Sequence, residues 1–202
     1  DPLADGPVIQ NSSKIALQNG MNLNLLFKQL ENIREKVKIP LLFMSYLNPV
    51  LQYGFSDFCQ KACSVGIDGL ILPDLPPEIY EKDYKGEMSQ NGLKNIMLIS
   101  PTTRKQRLTR VLAKAEGFVY MVSSNSTTGG QKEVTSNLEF ISQIREERSD
   151  IPVMVGFGID NREKVKKVNE FADGAIIGSS FIKHLNGDIE KNVADFMNQI
   201  KP

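Results

Sequence analysis

The sequence of 202 residues contains two cysteines, one histidine and no excess of either charge. Lys+Arg and Asp+Glu each number 24, and the absence of a basic run argues against a nucleic-acid surface. No apolar run approaches the roughly 18 residues that a membrane span needs. We therefore expect neither a nucleic acid nor a membrane as partner. The hydrophobic fraction of 41% is that of one sizeable globular domain.

The two cysteines, Cys59 and Cys63, are four residues apart in a helical pattern, so their spacing places them on one helix face. A metal pair would need further ligands, and the only histidine, His184, lies far away in the sequence. We expect buried or half-buried free thiols, no metal site and a reducing, cytoplasmic environment.

Short apolar runs alternate with segments of helical period along the chain. The predicted strands are residues 39–46, 67–73, 96–100, 118–123, 151–157 and 174–178. The predicted helices are residues 23–37, 55–65, 105–115, 136–148, 162–171 and 189–200, with one more inside 79–91. The strands are continuous apolar runs, which is typical of parallel strands covered on both faces. The pattern therefore predicts an α/β fold with a parallel sheet.

The number of βα units, roughly six, leaves two architectures open. An open doubly wound sheet can stop at six strands, whereas a (β/α)8 TIM barrel needs eight strands and about 250 residues. The sequence starts without a methionine and with no strand before its first loop. If two strands and a helix precede it, on the order of 50 residues restore the barrel size. We expect a single TIM-barrel domain over residues 1–202, lacking its first two strands and first helix.

The opening segment, Asp1-Pro2-Leu3-Ala4-Asp5-Gly6-Pro7, holds two carboxylates four residues apart among two prolines and a glycine. This composition excludes a helix interior or a central strand and predicts a loop. A loop that carries fixed carboxylates is a candidate site for proton transfer.

Glycines follow the last two predicted strands, in Gly156-Phe157-Gly158 and Gly178-Ser179-Ser180. In a TIM barrel the loops at these positions often hold a phosphate. Glycine allows backbone N–H groups to approach an anion, and backbone donors suffice without a charged side chain. The pair of motifs predicts a phosphate site.

Other residues near strand ends have two interpretations each. Residues 123–130 form either a solvated loop or a lid that closes over substrate. Asp74 shapes a turn in preference to contacting substrate, and His184 has no predicted catalytic role. Four apolar or aromatic residues belong to the core or line a flat pocket: Tyr46, Leu98, Phe118 and Tyr120.

Together these motifs resemble the tryptophan synthase alpha subunit family over essentially the whole chain and in the family's order. The matching residues are Asp1-Pro2-Leu3-Ala4-Asp5-Gly6-Pro7 with Ile9-Gln10, Met44-Ser45-Tyr46 with Asn48-Pro49, Pro73-Asp74-Leu75-Pro76, Ser100-Pro101-Thr102, Thr128-Gly129, Gly156-Phe157-Gly158-Ile159 and Gly178-Ser179. The opening heptad is the most specific of them.

The resemblance implies a (β/α)8 barrel that splits indole-3-glycerol phosphate into indole and glyceraldehyde 3-phosphate, with no cofactor of its own. In this retro-aldol cleavage the indole nitrogen carries positive charge when C3 is protonated. Asp5 matches the family's aspartate that stabilises this charge. The family's proton-transferring glutamate lies just upstream of the opening loop and is absent from the given sequence, so we expect the 202-residue chain alone to be inactive.

The resemblance also implies roles for residues at the other strand ends. Phosphate binding carries over to Gly129, Phe157, Gly158, Gly178 and Ser179. Tyr46, Ile99 and Tyr120 match positions around the indole and glycerol, and Thr128 matches a lid threonine that hydrogen-bonds the catalytic aspartate. The lid lacks the arginine that many members of the family carry.

The partner implied by the resemblance is a pyridoxal-phosphate (PLP) beta subunit, in an assembly of two alpha and two beta subunits. The residues that match its interface are Asp1, Pro2, Asn48 and Pro76. Two other functions stay open at this point: a different phosphate-binding TIM-barrel enzyme, and a non-catalytic activator of the beta subunit. The first would need a lysine or paired aspartates at strand ends, and no such lysine is found.

Overall fold

The computed structural model describes residues 5–122, 131–156 and 158–201. The chain divides into two compact units, the first reaching Met97 and the second beginning at Leu98, with Pro7–Ile9 grouped in the second. Within the described ranges, no helix is long and apolar enough to cross a membrane.

Parallel strands separated by helices build the first unit. Its elements in chain order are α1 (Pro7–Gln18), α2 (Leu23–Gln29), α3 (Ile33–Lys36), β1 (Leu42–Met44), α4 (Leu47–Tyr53), α5 (Phe55–Ser64), β2 (Gly69–Ile71), α6 (Pro77–Ile79), a π-helical turn (Tyr80–Tyr84), α7 (Lys85–Gln90) and β3 (Lys94–Ile99). The first three residues of α1 and the last two of β3 are grouped with the second unit. Strand β2 pairs in parallel with both β1 and β3, with Leu70 opposite Phe43 and Asn95. The carboxyl ends of these strands therefore lie at one edge of the sheet.

The second unit repeats the same alternation. Its elements are α8 (Lys105–Leu112), β4 (Val119–Val122), α9 (Gln131–Glu147), β5 (Val153–Gly156), α10 (Arg162–Asn169), β6 (Gly174–Ile176), α11 (Ser179–His184) and α12 (Ile189–Ile200). Strand β5 pairs in parallel with β4 and β6, with Met154 opposite both Tyr120 and Gly174. The predicted parallel α/β fold is thus confirmed in both units.

Four helical features differ from the sequence prediction. Residues 23–37 were expected to form one helix, but Asn32 adopts a left-handed backbone with φ of 63° and separates α2 from α3. Helices α1, α4 and α11 were not predicted; α1 begins at Pro7, which the sequence placed in a loop, and α4 contains Pro49. Both prolines lie in the first helical turn, where the N–H that proline lacks has no intrahelical partner.

The core of each unit is apolar on both sides of its strands. In the first unit, the rings of Phe27, Phe43, Tyr53 and Phe58 lie with centroids 5.5 to 6.1 Å apart, in edge-on or tilted contacts. In the second unit Val119, Met121, Ile144 and Val153 are fully buried. The apolar runs of β2 to β5 are therefore mostly buried, as predicted for parallel strands covered on both faces. Strands β1 and β6 are only half-buried, and Met44 of β1 is 57% exposed, which corrects that prediction for these two strands.

The amino ends of the strands carry an arginine–aspartate clamp in each unit. In the first, Asp68 Oδ2 accepts the N–H of Leu41 at 2.7 Å and pairs with Arg34, while Asp68 N–H donates to Leu41 O. In the second, Asp173 Oδ2 accepts the N–H of Val153 at 2.7 Å and pairs with Arg145 at 2.6 Å, and Asp173 N–H donates to Val153 O. Each clamp ties a helix and two neighbouring strands together.

Both cysteines are free, as predicted, but only one is buried. Cys59 is fully buried in α5, whereas Cys63 is exposed, which corrects the expectation of two buried or half-buried thiols. Burial, and secondarily the nearby Glu87 carboxylate, raise the pKa of the Cys59 thiol to about 12. The thiol therefore stays protonated at neutral pH and is a structural residue.

Candidate functional site

A carboxylate–phenol pair lies at the carboxyl end of the strands in the first unit. Tyr46, two residues after β1, donates its hydroxyl to Asp5 Oδ2 at 3.2 Å across 41 residues of sequence. Both side chains are half-buried. The backbone of Asp5 is held as well, because Gln10 Nε2 on α1 donates to Asp5 O at 2.8 Å. The pair therefore presents a partly exposed carboxylate in a fixed orientation.

Asp74 lies in the turn after β2, which Leu75 N–H closes by donating to Leu72 O at 3.1 Å, and its side chain contacts a neighbouring element. Its two carboxylate oxygens accept the N–H of Leu47, the first residue of α4, at 2.9 and 3.0 Å. Asp74 therefore lies in a turn, as expected, and in addition caps a helix whose first residue is 27 positions earlier in the sequence. A carboxylate at a helix N-terminus satisfies an orphan donor and interacts favourably with the helix dipole.

The strand ends of the second unit carry hydroxyls and glycines in place of carboxylates. After β3, Ser100 N–H donates to Thr103 Oγ1 at 2.9 Å, and Thr103 N–H donates back to Ser100 O at 2.8 Å. Ile99, the last residue of β3, is buried at 2% exposure. The turn after β3 is therefore closed by its own hydroxyl groups.

The ring of Tyr120 on β4 occupies the space that a side chain at Gly156 on β5 would fill. A Cβ added at Gly156 would lie 2.4 Å from both Cε2 and Oη of Tyr120, whose side chain is buried at 6% exposure. Only glycine allows the ring to lie this close to the end of β5. Gly158 follows with φ of +70°, and Lys164 Nζ donates to its carbonyl at 2.7 Å.

Gly178 and Ser179 form the exposed start of α11. Gly178 is the N-cap, and its carbonyl accepts the N–H of Ile182 at 3.0 Å. A Cβ added at Gly178 would meet no atom of the described residues within 4 Å, so the backbone here is open on that side. At the other end of α11, His184 Nδ1 lies 2.7 Å from Ser180 O, and the ring is 4.7 Å from that of Phe196. His184 is therefore a half-buried packing residue.

Several residues assigned from the sequence lie outside the described part of the chain: Asp1, Pro2, Thr128, Gly129 and Phe157. Of the interface residues, Asn48 and Pro76 are both exposed. Sequence reasoning gave no role to Gln10 or to the N–H of Leu47. Recognising Pro7 and Pro49 as first-turn prolines would have indicated helices there and, with them, the N–H donors. Within the described residues, no group of three or more His, Cys, Asp or Glu side chains could hold a metal ion.

Parallel strands with polar groups at their carboxyl ends define an α/β protein of the class that binds small molecules at that edge. The comparisons identify the particular family. The chain belongs to the tryptophan synthase alpha chain family, whose sequence model matches residues 1–201. The resemblance inferred from the motifs is therefore confirmed.

Individual relatives agree with this assignment. The chain is 48% identical to the tryptophan synthase alpha chain of Flavobacterium johnsoniae over 202 residues, covering 100% of this chain and 80% of that one. It is 47% identical to the alpha chain of Christiangramia forsetii, covering 100% of this chain and 79% of the relative. The solved structure of tryptophan synthase subunit alpha from Campylobacter jejuni matches with a TM-score of 0.89 at 36% identity, covering 99% of this chain and 79% of that one.

The family fixes the reaction. The chain is a carbon–carbon lyase of tryptophan biosynthesis that cleaves indole-3-glycerol phosphate. Alpha chains of this family have no cofactor of their own, because PLP belongs to the beta subunit, which is their partner.

Proposed function

We propose that Asp5 is the catalytic carboxylate that stabilises the positive charge on the indole nitrogen. In the cleavage, the bond between indole C3 and the first glycerol carbon breaks. The hydroxyl on that carbon loses its proton, and the carbon becomes the aldehyde carbon of glyceraldehyde 3-phosphate. Indole C3 gains a proton, and indole is the leaving group. Protonation of C3 before the bond breaks makes the ring cationic, and a fixed carboxylate beside the ring N–H lowers the energy of this species.

The hydrogen bond from Tyr46 to Asp5 is the observation that supports this role. A phenol donor at 3.2 Å restrains one carboxylate oxygen and leaves the other for the substrate. The Gln10 contact restrains the backbone of the same residue. Electrostatic stabilisation depends on groups that are oriented before the reaction. Hydrogen bonds restrain both the side chain and the backbone of Asp5, which supports this role. The proton transfer itself belongs to a second group, which the resemblance assigns to a glutamate.

Substrate phosphate binding is proposed for the backbone N–H groups of Gly158, Gly178 and Ser179, together with Phe157 and Gly129. The exposure of Gly178 and Ser179 and the open space beside Gly178 support this role. The indole and glycerol would contact Tyr46, Ile99 and Tyr120. Thr128 would hydrogen-bond Asp5 when the lid closes.

The beta subunit partner is proposed to form an assembly of two alpha and two beta subunits. Asp1, Pro2, Asn48 and Pro76 are its proposed contacts, and the exposure of Asn48 and Pro76 is compatible with such an interface. We further propose a single (β/α)8-barrel domain as the architecture and the cytoplasm as the location, both of which are usual for this family.

The substitution Asp5→Asn tests the catalytic role. We expect kcat for indole release to fall by at least about 100-fold, because the charge that stabilises the cationic ring is lost. The melting temperature should stay close to that of the parent, since Asn preserves the shape and accepts the Tyr46 hydrogen bond. Indole release by the full-length protein is the measurement.

The control is Asp195→Asn, an exposed carboxylate on α12 away from the strand ends. This variant should retain parental kcat. Near-parental turnover by Asp5→Asn would remove Asp5 from the mechanism. Mixing the protein with a beta subunit and assaying both half-reactions separates a lyase from a chain that only activates its partner.

A further inference from the structure

Helix α4 depends on another element for its N-terminal cap. Its N-cap residue is Tyr46, whose own side chain caps nothing. The carboxylate of Asp74 takes this place by accepting the N–H of Leu47 with both oxygens, at 2.9 and 3.0 Å. N-terminal N–H groups have no partner within the helix, so an external acceptor determines where the first turn is held.

The backbone on both sides of Tyr46 is thereby attached to β2 and the segment after it. Ser45 N–H, on one side, donates to Ile71 O at 3.1 Å and extends the β1–β2 ladder. Leu47 N–H, on the other, donates to Asp74. Ser45 Oγ also donates to Tyr46 O at 3.0 Å. The position of the Tyr46 Cα is consequently set by one ladder hydrogen bond and one carboxylate.

The phenol of Tyr46 passes this positional restraint on to Asp5. The distance from Tyr46 Oη to Asp5 Oδ2 is 3.2 Å, beyond the most frequent O–H···O length of about 2.8 Å. A small displacement of the α4 N-terminus would lengthen this contact past the range of a hydrogen bond. Asp5 would then lose the donor that fixes its carboxylate.

We infer that Asp74 is a positioning residue for the lyase reaction, acting through the N-terminus of α4 and the Tyr46 hydroxyl on Asp5. The inference rests on the role proposed for Asp5. It assigns to Asp74 no contact with substrate and no part in proton transfer. Loss of the Asp74 carboxylate therefore acts mainly on kcat and little on KM.

The primary test removes the acceptor and the donor of this contact separately in the full-length protein. Asp74→Ala should lower kcat about 10-fold, since small misplacements of a catalytic group cost up to about 100-fold. Asp74→Asn should restore most of this loss, because Asn caps helices about as well as Asp. Leu47→Pro removes the N–H at a first-turn position that tolerates proline, and the ψ of 156° at Tyr46 is compatible with a following proline. Leu47→Pro should show the same kcat loss as Asp74→Ala. It therefore tests the inference independently of how well Asp74→Ala folds.

Double variants separate positioning from a general loss of stability. If Asp74 acts through the Tyr46 hydroxyl, Asp74→Ala should lower kcat no further in a Tyr46→Phe background, nor in a Leu47→Pro background. Asp188→Ala is the matched control, because Asp188 also caps a helix, α12, by accepting Lys191 N–H at 3.1 Å. This control should retain parental kcat.

Three results would overturn the inference: a full additional kcat loss in the Tyr46→Phe background, a rise in KM without loss of kcat, or parental kcat in both Asp74→Ala and Leu47→Pro. The Asp5→Asn variant, measured alongside, tests the proposed function separately. A defect in Asp5→Asn with none in the Asp74 and Leu47 variants rejects only the positioning role. Parental kcat in Asp5→Asn rejects the catalytic role on which it depends.

Discussion

The two units have the same arrangement at the amino ends of their strands and different ones at the carboxyl ends. At the amino ends, Asp68-Gly69 in the first unit corresponds to Asp173-Gly174 in the second. Each aspartate exchanges two hydrogen bonds with one residue at the start of the neighbouring strand. Each also pairs with an arginine from the helix that precedes this neighbouring strand, Arg34 of α3 or Arg145 of α9. The two units therefore share one way of joining strand to strand and strand to helix.

The carboxyl ends differ in chemistry. The first unit presents side chains with acidic or phenolic groups, Asp5, Tyr46 and Asp74, linked through Leu47. The second presents exposed backbone at Gly158, Gly178 and Ser179. Shared amino ends and divergent carboxyl ends agree with the general rule that one end of a parallel sheet serves stability and the other serves function. Under the roles proposed above, the charge-stabilising residue and the phosphate-binding residues belong to different units.

The glycine after each aspartate gives the strongest test of whether the two clamps are equivalent. A Cβ at Gly69 would lie 2.6 Å from the backbone oxygen of Lys94, whereas a Cβ at Gly174 would lie 2.7 Å from Sδ of Met154. A backbone atom cannot move aside as a methionine side chain can. Gly69→Ala should therefore lower the free energy of unfolding by about 3 kcal/mol and Gly174→Ala by less than about 1 kcal/mol. Urea titration of the two variants measures this difference. Equal losses would show that the strand pairs respond alike.

Removing the aspartates tests whether the clamps contribute to stability alone. Asp68→Ala leaves Arg34 and the N–H of Leu41 without this acceptor, and we expect a loss of about 1–2 kcal/mol in unfolding free energy. Asp173→Ala should cost a similar amount, and both variants should retain parental kcat and KM. The matching Asn variants should recover part of the loss, because an amide oxygen still accepts the N–H. A tenfold fall in kcat in either Ala variant would contradict the view that the amino ends of the strands serve stability and only the carboxyl ends serve function.

Gly178→Val probes the carboxyl end of the second unit and has the smallest expected effect on fold stability. The side chain enters open space and blocks approach of the phosphate to the backbone N–H groups. Because hydrogen bonds to a charged group contribute about 1.5 kcal/mol, the KM for indole-3-glycerol phosphate should rise about 10-fold. Gly86→Val on α7 is the control, since Gly86 also faces open space but lies in a helix away from the strand ends. An unchanged KM in Gly178→Val would place the phosphate elsewhere.

Much of the fold could be predicted from the sequence because its signals are local. The apolar runs located all six strands in the described residues, although every predicted boundary except the start of β6 differs by one or more residues. The run at residues 39–46 illustrates the cause. Apolar side chains continue to Tyr46, but β1 ends at Met44 and Tyr46 is the N-cap of the next helix. Hydrophobicity indicates burial, whereas the end of a strand is set by where its ladder of backbone hydrogen bonds ends.

The candidate site was less predictable. Asp5, Tyr46 and Asp74 were all singled out, but the sequence supplied no reason to connect them. Their contacts join residues 41 and 27 positions apart, and one of the partners is a backbone N–H that belongs to no motif. Asp74 was expected to shape its own turn, since aspartate commonly does so next to proline.

The sequence by itself determined that the chain is a parallel α/β protein and which residue types follow each strand, because apolar periodicity and glycine or proline positions act over a few residues. Only the tertiary structure decided which of those residues meet. Strand order and register bring Ser45 to Ile71 and Asp74 to Leu47. Gln10 of helix α1 donates to the backbone oxygen of Asp5, whose carboxylate accepts the Tyr46 hydroxyl. Such contacts depend on the alignment of distant strands, which no short stretch of sequence specifies.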